Sequence, residues 1–220
     1  MVNEKRFVSR GRKFDQVLEG ARRVFMRDGY AAANVDDIAR EASVSKATLY
    51  SYFSDKKQMF DAVFRDHLDR EQVDGHELAG MDLPMDQLLR FVGHLVATRA
   101  VSENDARMLR LAVAEAERFP ALAAQYYATG PASLYRALEE MLKRWQDQGM
   151  LRRDIPDLRL AAESFVTLSM MRLRERVKLA NAASIDEGMI RRTVDNAVAM
   201  FLSHYGTEAA RRLISDDVKI

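Results

Sequence analysis

Residues 34–60 read NVDDIAREASVSKATLYSYFSDKKQMF, and this stretch has the residue spacing of two short helices joined by a tight turn. Asn34 and Ser45 precede the two helical segments, and each can accept a hydrogen bond from the first turn of the helix that follows. The apolar positions recur at helical spacing and can form a small shared core; they are Ile38, Ala42, Val44, Leu49 and Phe53. The pattern predicts a helix-turn-helix, whose second helix enters the major groove of DNA.

The outer side of the second helix indicates how such a motif contacts DNA. Between Lys46 and Ser51 it carries an amine, hydroxyls and one methyl group, all of which can reach base edges. Tyr50 and Tyr52 suit phosphate oxygens, and Lys56 adds a positive charge in the first turn of the next helix. The candidate DNA-binding residues are Asn34, Ser45, Lys46, Ala47, Thr48, Tyr50, Ser51, Tyr52 and Lys56.

Helical periodicity continues on both sides of the motif. A first helix precedes it and ends at Gly29, a residue suited to a left-handed cap. A long helix follows it, and a loop at residues 75–84 comes next. Beyond the loop, helices are predicted near residues 85–100, 103–117, 119–129, 131–148, 157–180 and 186–214. No stretch shows strand alternation, so the predicted fold class is all-α.

The predicted domains follow from this order of helices. Residues 1–56 form a three-helix helix-turn-helix DNA-binding domain, and a linking helix spans about 56–75. Residues 77–220 form a larger helical domain.

Charge is distributed unevenly along the 220 residues. The whole chain has 34 Lys and Arg against 33 Asp and Glu, a formal charge of +1. Residues 1–60 hold 12 basic and 8 acidic residues, a net of +4, which leaves 22 against 25, a net of −3, for residues 61–220. A basic N-terminal part on a mildly acidic remainder indicates a polyanionic partner at the N-terminal end.

Several classes of function find no support in the sequence. The chain has no cysteine, which excludes a disulfide framework, a thiol nucleophile and a thiolate metal site. The four histidines show no metal-ligand spacing, and no nucleophile elbow or phosphate-binding loop occurs. We therefore expect no enzyme activity, no cofactor and no metal. The charged N-terminal sequence lacks an apolar secretory segment, so we expect a cytoplasmic protein without membrane insertion.

The helix-turn-helix residues carry a resemblance to a known family. From the first-helix pattern through residue 60, the chain resembles the TetR family of bacterial transcriptional regulators. The agreement lies in Ile38-Ala39, Val44-Ser45, Leu49-Tyr50, Tyr52-Phe53 and Lys56, which the resemblance assigns to scaffold or DNA contact. Two residues depart from the family pattern. Ser43 replaces the usual turn glycine, which predicts a strained or differently shaped turn. Asn34 replaces a common threonine.

The remainder of the chain is similar to the AefR-like branch of this family. The similarity runs through RMLRLAVAEAERFPALAAQYYATGPASLYRALEEMLKRWQDQGMLR at residues 107–152. It implies a domain that binds a small-molecule ligand and dimerises through its last two long helices, about 157–180 and 186–214. Those helices also carry more apolar positions than one core needs. They include Leu160, Phe165, Leu168 and Met171 in the first helix, and Ile190, Val194, Val198 and Phe201 in the second.

The candidate ligand-binding residues are apolar or aromatic, with one carboxylate among them. They are Met108, Leu111, Glu115, Tyr126, Tyr127, Phe165 and Met170. Glu115 either receives a cationic ligand or pairs with a nearby arginine such as Arg107, Arg110 or Arg172. Core packing accounts equally well for the aromatic residues and the methionine.

The sequence predicts a dimeric transcriptional regulator that binds a palindromic operator through residues 46–53. The resemblance makes repression the default, with release by a small-molecule ligand of unknown identity. The alternative is a helical ligand- or partner-binding protein without operator binding.

Overall fold

The described residues are almost entirely helical. The computed structural model describes residues 11–71, 78, 80–81, 83–179 and 185–216. Within these ranges the helices are α1 Arg12–Ala32, α2 Val35–Glu41, α3 Lys46–Tyr52, α4 Lys56–Glu71, α5 Met85–Val101, α6 Glu103–Ala114, α7 Pro120–Thr129, α8 Pro131–Asp147, α9 Leu158–Leu179, α10 Glu187–Tyr205 and α11 Glu208–Asp216. The described residues form no strand beyond an isolated bridge between Leu151 and Gly206, and the all-α prediction is confirmed. The predicted end of the linking helix, at residues 72–75, lies outside the described residues.

The helices pack as two compact units. The first unit comprises Met1–Gln72 and Met108–Tyr127, and the second comprises Val73–Arg107 and Ala128–Ile220. Residues 108–127, which the sequence analysis placed in the second domain, therefore pack with the helix-turn-helix. The physical reason is a run of apolar residues, including Met108 and Phe119, that is buried in the core of the first unit.

The core of the first unit is aromatic. Phe25, Phe60 and Phe64 are fully buried, and Ile38 and Leu49 join them from α2 and α3. Close approach of α1 to the end of α2 requires a residue without a side chain, since a Cβ at Gly20 would lie 2.7 Å from the Cβ of Ala42. Burial of these side chains is what holds α2 and α3, each only seven residues long, in place.

Two residues with positive φ shape the chain around the motif. Gly29 has φ 74° and ψ 175° inside α1 and interrupts its helical geometry. The predicted need for glycine at this position is confirmed, but the predicted end of the helix is wrong, because helical residues resume and α1 ends at Ala32. Ser43, in the turn between α2 and α3, has φ 54°, and no other non-glycine residue of the described ranges has a positive φ. A side chain is disfavoured in this left-handed region, which bears out the expected strain at Ser43.

The second unit is built on α5, α9 and α10. Gly93 of α5 permits their close packing, because a Cβ there would lie 2.8 Å from Val194 of α10. Ser169 of α9 is fully buried nearby and donates its hydroxyl proton to the Phe165 carbonyl.

The predicted helix at residues 186–214 is wrong as a single helix. The chain leaves helical geometry at Gly206 and starts again at Glu208. The Thr207 N–H donates to the carbonyl of Met150, and the Arg152 N–H donates to the carbonyl of Tyr205. These bonds to a distant loop replace the helical bonds at this position.

Candidate nucleic-acid interface

Side-chain caps fix where each helix of the motif begins. Asn34 Oδ1 accepts a 2.9 Å hydrogen bond from the Asp36 N–H, and Ser45 Oγ accepts a 3.1 Å bond from the Thr48 N–H. Asp55 Oδ1 accepts a 2.8 Å bond from the Gln58 N–H at the start of α4. The two caps predicted at Asn34 and Ser45 are confirmed, and such caps stabilise a helix by about 1 kcal/mol each.

The outer face of α3 is open to solvent. Leu49 is the buried anchor of this short helix, while Lys46, Ala47, Tyr50 and Ser51 are exposed. Thr48 is half-buried. The arrangement leaves a polar, side-chain-bearing helix face free for a partner.

The hydroxyls on this face are engaged with one another and with the backbone. Ser45 Oγ lies 2.9 Å from Thr48 Oγ1, and Ser51 Oγ donates to the Thr48 carbonyl at 2.6 Å. Because Ser51 uses its only proton in this way, its hydroxyl oxygen can take part in a further hydrogen bond only as an acceptor. An acceptor in the major groove suits the amino groups of adenine or cytosine.

Lys46 has a partner that the sequence analysis missed. Its Nζ forms an ion pair with Oδ1 of Asp36, in the first turn of α2. The two residues are ten positions apart and come together only because the turn at Ser43 folds α3 back beside α2. No periodicity rule relates these positions, so no signal in the sequence could have found the pair.

Lys56 makes several contacts within the protein. Its Nζ donates to the carbonyls of Ala33 at 2.9 Å and Ala31 at 3.3 Å, and it lies 4.7 Å from the centre of the Tyr30 ring. An ammonium has three N–H donors. One donor therefore remains after the two carbonyl bonds, and Lys56 also ties the end of α1 to the start of α4.

The two tyrosines of α3 differ in their surroundings. Tyr52 is half-buried and packs edge-on against Phe14, with ring centres 5.7 Å apart. Tyr50 is 50% exposed and lines a surface groove together with Asn34, Val35 and Lys56. Tyr50 is accordingly the tyrosine that is free to meet a ligand.

Glu115 lies against the α1–α2 connection. Its Oε1 accepts a 3.3 Å hydrogen bond from the Tyr30 N–H, and the Arg118 guanidinium lies 4.7 Å from the centre of the Tyr30 ring. Burial raises the pKa of the Tyr30 phenol, which keeps it neutral. The partner of Glu115 in the structure is therefore a backbone amide of the first unit.

The remaining candidate ligand-binding residues divide between the two units. Met108 and Leu111 are buried in the core of the first unit. The Tyr126 ring packs against this core, with its centre 6.2 Å from the centre of the Phe64 ring, whereas Tyr127 is exposed. In the second unit Phe165 is buried against Phe201, with ring centres 5.5 Å apart, and Met170 packs against the same core. Their role in holding a ligand stays a prediction.

The described part of the chain contains neither a cluster of metal-ligating side chains nor a membrane-spanning helix. Among these residues, His, Asp and Glu side chains nowhere gather in a group of three that could hold a metal ion. No helix in the same ranges is long and apolar enough to cross a membrane.

A helical unit with two short capped helices at a tight turn, and a polar exposed face on the second helix, defines the class of helix-turn-helix proteins. Two family models match the chain. The model of the tetR family of bacterial regulatory proteins matches residues 17–63, and the C-terminal domain model of AefR-like transcriptional repressors matches residues 87–207.

Individual relatives agree with these models. The HTH-type transcriptional activator FasR of Mycolicibacterium smegmatis is 46% identical over 54 residues, which are 24% of this chain and 25% of FasR. A TetR-family regulator from Mesorhizobium loti has a similar structure, with a TM-score of 0.75 and 22% identity over 89% of this chain and 98% of that one. The flavonoid-responsive regulator FrrA gives a TM-score of 0.68 and 28% identity over 90% of this chain and 99% of FrrA.

The chain belongs to the TetR family of bacterial transcriptional regulators. The match to FasR covers only a quarter of that protein's length. Other curated relatives are likewise matched over only about a third of their length, 36% for YhgD of Bacillus subtilis and 34% for HbdR of Aromatoleum.

Proposed function

We propose that this chain is a cytoplasmic, dimeric transcriptional repressor rather than an enzyme, and that a small-molecule ligand releases it from a palindromic operator. The observation that carries the proposal is the exposed face of α3, held by two side-chain caps and the buried Leu49. Family membership supports DNA binding at this face, and the AefR-like model supports repression.

Base recognition is assigned to the first turns of α3. Lys46 and Ala47 are exposed at its start, where residues of a recognition helix reach base edges. The Lys46 amine suits guanine acceptors, and the Ala47 methyl suits thymine. Ser45, Thr48 and Ser51 add hydroxyls beside them, of which Ser51 acts as an acceptor.

Phosphate contact is assigned to the groove at the other side of α3. Tyr50 brings a phenol to this groove, and Lys56 brings its remaining N–H donor. Two further phosphate contacts are assigned to Asn34, the N-cap residue of α2, and to Tyr52, the last residue of α3. Contacts of this kind fix the position of a protein on the duplex without reading its sequence.

Dimerisation is assigned to α9 and α10. The apolar positions of α10 on which the sequence prediction relied are buried in the second unit's own core; they are Ile190, Val194, Val198 and Phe201. Phe165 of α9 is buried there as well. Among the described side chains of these helices, large apolar groups are exposed at Leu160 and Met171, which the sequence analysis also named, and at Met200, with 57%, 54% and 50% exposure. A second copy of the chain would cover them, as two-fold symmetry on a palindrome requires.

The signal is assigned to a small organic ligand. FrrA, whose structure resembles this chain over nearly its whole length, is described as flavonoid-responsive. Candidate ligand contacts in the first unit are Met108, Leu111, Glu115, Tyr126 and Tyr127. Separate candidates in the second unit are Phe165 and Met170. Because Glu115 contacts the Tyr30 N–H in the first unit, displacement of Glu115 by a ligand would disturb the α1–α2 connection. The ligand can shift binding only by its difference in affinity for the two states.

Binding to the DNA upstream of the chain's own gene tests this proposal. Tyr50→Phe removes one phenolic hydroxyl and should weaken binding to operator and scrambled duplexes alike, by about three- to ten-fold. Fluorescence anisotropy with purified protein measures both affinities. The matched control is Tyr135→Phe in α8, which is assigned to neither DNA nor ligand and keeps the ring whose centre lies 5.1 Å from the Arg159 guanidinium; this variant should bind both duplexes like wild type. A wild-type chain that binds no DNA would favour the alternative, a helical ligand- or partner-binding protein.

A further inference from the structure

The ion pair between Asp36 and Lys46 places a carboxylate at the start of the recognition helix. Lys46 is the first residue of α3, and Asp36 lies in the first turn of α2. Their side chains are 45% and 58% exposed, respectively, so the pair lies at the surface. Because the two groups are in contact, the Asp36 carboxylate lies beside the Lys46 amine at the start of the helix that is proposed to enter the DNA groove.

We propose that Asp36 is a specificity-determining residue, and that Asp36 and Lys46 together read one G·C base pair as a donor–acceptor unit. The inference rests on the proposed function and deepens it. Lys46 has three N–H donors, so even with one directed at Asp36 two are left for guanine O6 and N7. Asp36 pairs through Oδ1, and its second oxygen can accept from the cytosine amino group.

Electrostatics favour keeping the pair together on DNA. A bare Asp36 carboxylate beside phosphates would be repelled, whereas the paired carboxylate is neutralised. Lys46 therefore acts in the groove as part of a neutral unit and adds little to the attraction of the protein for phosphate. This arrangement favours recognition of a base pair over sequence-independent binding.

The geometry of Asp36 allows it to be changed without loss of the motif. Its contribution to the α2 cap is its backbone N–H, which donates to Asn34 Oδ1. A side-chain substitution leaves this bond in place. Asp37, one position further on, pairs with Arg40 at 2.8 Å and provides a charge-matched control on the same helix.

The test compares the base preferences of five proteins: wild type, D36N, K46M, the double variant D36N/K46M, and D37N. Duplexes are selected from random-sequence DNA with each protein, and the affinity for the selected and scrambled duplexes is then measured as a function of salt. Circular dichroism verifies that each variant keeps its helices.

We expect D36N and K46M to lose the preference for G·C at the same base-pair position in each half-site, by about five-fold or more. The double variant should lose no more than either single variant, because the two residues act as one unit. For scrambled DNA, D36N should also make the slope of log affinity against log salt more negative by about 0.9 for each Lys46 that loses its carboxylate partner. This change should be absent when D36N is combined with K46M. D37N should keep the wild-type preference at that position.

The outcomes separate this inference from the proposed function. If wild type selects no sequence at all, the proposed function fails, and the inference fails with it. If wild type selects a palindrome but D36N keeps every base preference, or loses one at a different position from K46M, the proposed function stands and the inference is overturned.

Discussion

At the scale of single residues, the turn between α2 and α3 depends on a strained serine. Ser43 has φ 54°, a conformation that costs an L-residue roughly 1–2 kcal/mol and costs glycine much less. The caps at Asn34 and Ser45 and the buried Leu49 hold the motif in spite of this strain.

Replacement of Ser43 by glycine should stabilise the protein. We expect Ser43→Gly to raise the free energy of unfolding by about 1 kcal/mol, because the strain at positive φ disappears. Urea denaturation measures this change. Ser51→Gly, at a helical position of α3 with ordinary dihedral angles, is the control and should lower stability. An unchanged or lowered stability of Ser43→Gly would contradict the explanation.

The sequence revealed some of these residue-level features and not others. The caps and the strain at Ser43 could be predicted, since each depends on neighbours within a few positions. The partners of Lys46 and Lys56 could not, because Asp36 and the carbonyls of Ala31 and Ala33 approach them only after folding. The charge of Lys46 can be read from the sequence, but its neutralisation by Asp36 can be seen only in the folded chain.

At the scale of helices, α1 and α4 are joined by a buried ion pair. Arg22 and Asp66 are only 7% and 8% exposed and are bonded to each other, and Arg70 adds a second contact to Asp66 at 3.0 Å. A buried pair of this kind contributes modestly as a whole. Without Asp66, the buried Arg22 guanidinium keeps only Glu19 as an ion-pair partner, at 3.2 Å and with a Glu19 side chain that is 43% exposed.

Removal of the Asp66 carboxylate should therefore be strongly destabilising. We expect Asp66→Ala to lower the free energy of unfolding by about 2–3 kcal/mol, because Glu19 compensates the Arg22 charge only in part. The control is Asp69→Ala on the same helix, where the side chain is exposed and the change should stay within about 0.5 kcal/mol. Thermal and urea denaturation give both values. Equal effects of the two substitutions would show that the buried pair contributes no such stabilisation.

Helix existence was predictable because apolar periodicity and caps are local. The break at Gly206 was not, since the residues on both sides have helical patterns and the bond from Thr207 to the distant Met150 decides the break. The packing of residues 108–127 with the first unit was equally hidden. It depends on contacts such as Phe119 with Tyr30, whose ring centres are 4.7 Å apart.

At the scale of the whole molecule, the small net charge is the sum of a basic N-terminal part and an acidic remainder. The net of +4 in residues 1–60 accompanies the exposed face of α3, while residues 61–220 carry −3. The acidic remainder limits sequence-independent attraction to DNA and leaves the helix-turn-helix to direct binding.

A charge on the exposed apolar face of α9 tests the proposed dimer. We expect Met171→Glu to weaken self-association at least ten-fold, because an unpaired carboxylate would be buried between two copies. Sedimentation velocity measures the change. Phe91→Glu, at an exposed apolar residue of α5, is the matched control and should remain a dimer. Wild type that sediments as a monomer, or equal behaviour of both variants, would contradict the assigned interface.

The salt dependence of DNA binding shows whether this chain recognises an operator through contacts to both phosphates and bases. Wild-type protein is titrated with its upstream palindrome and with a scrambled duplex at increasing salt concentration. We predict tighter binding to the palindrome at every salt concentration. A plot of log affinity against log salt should have a slope of about −2 or steeper, because two subunits each bring at least one lysine to phosphate. Equal affinity for both duplexes, or an affinity independent of salt, would contradict the account.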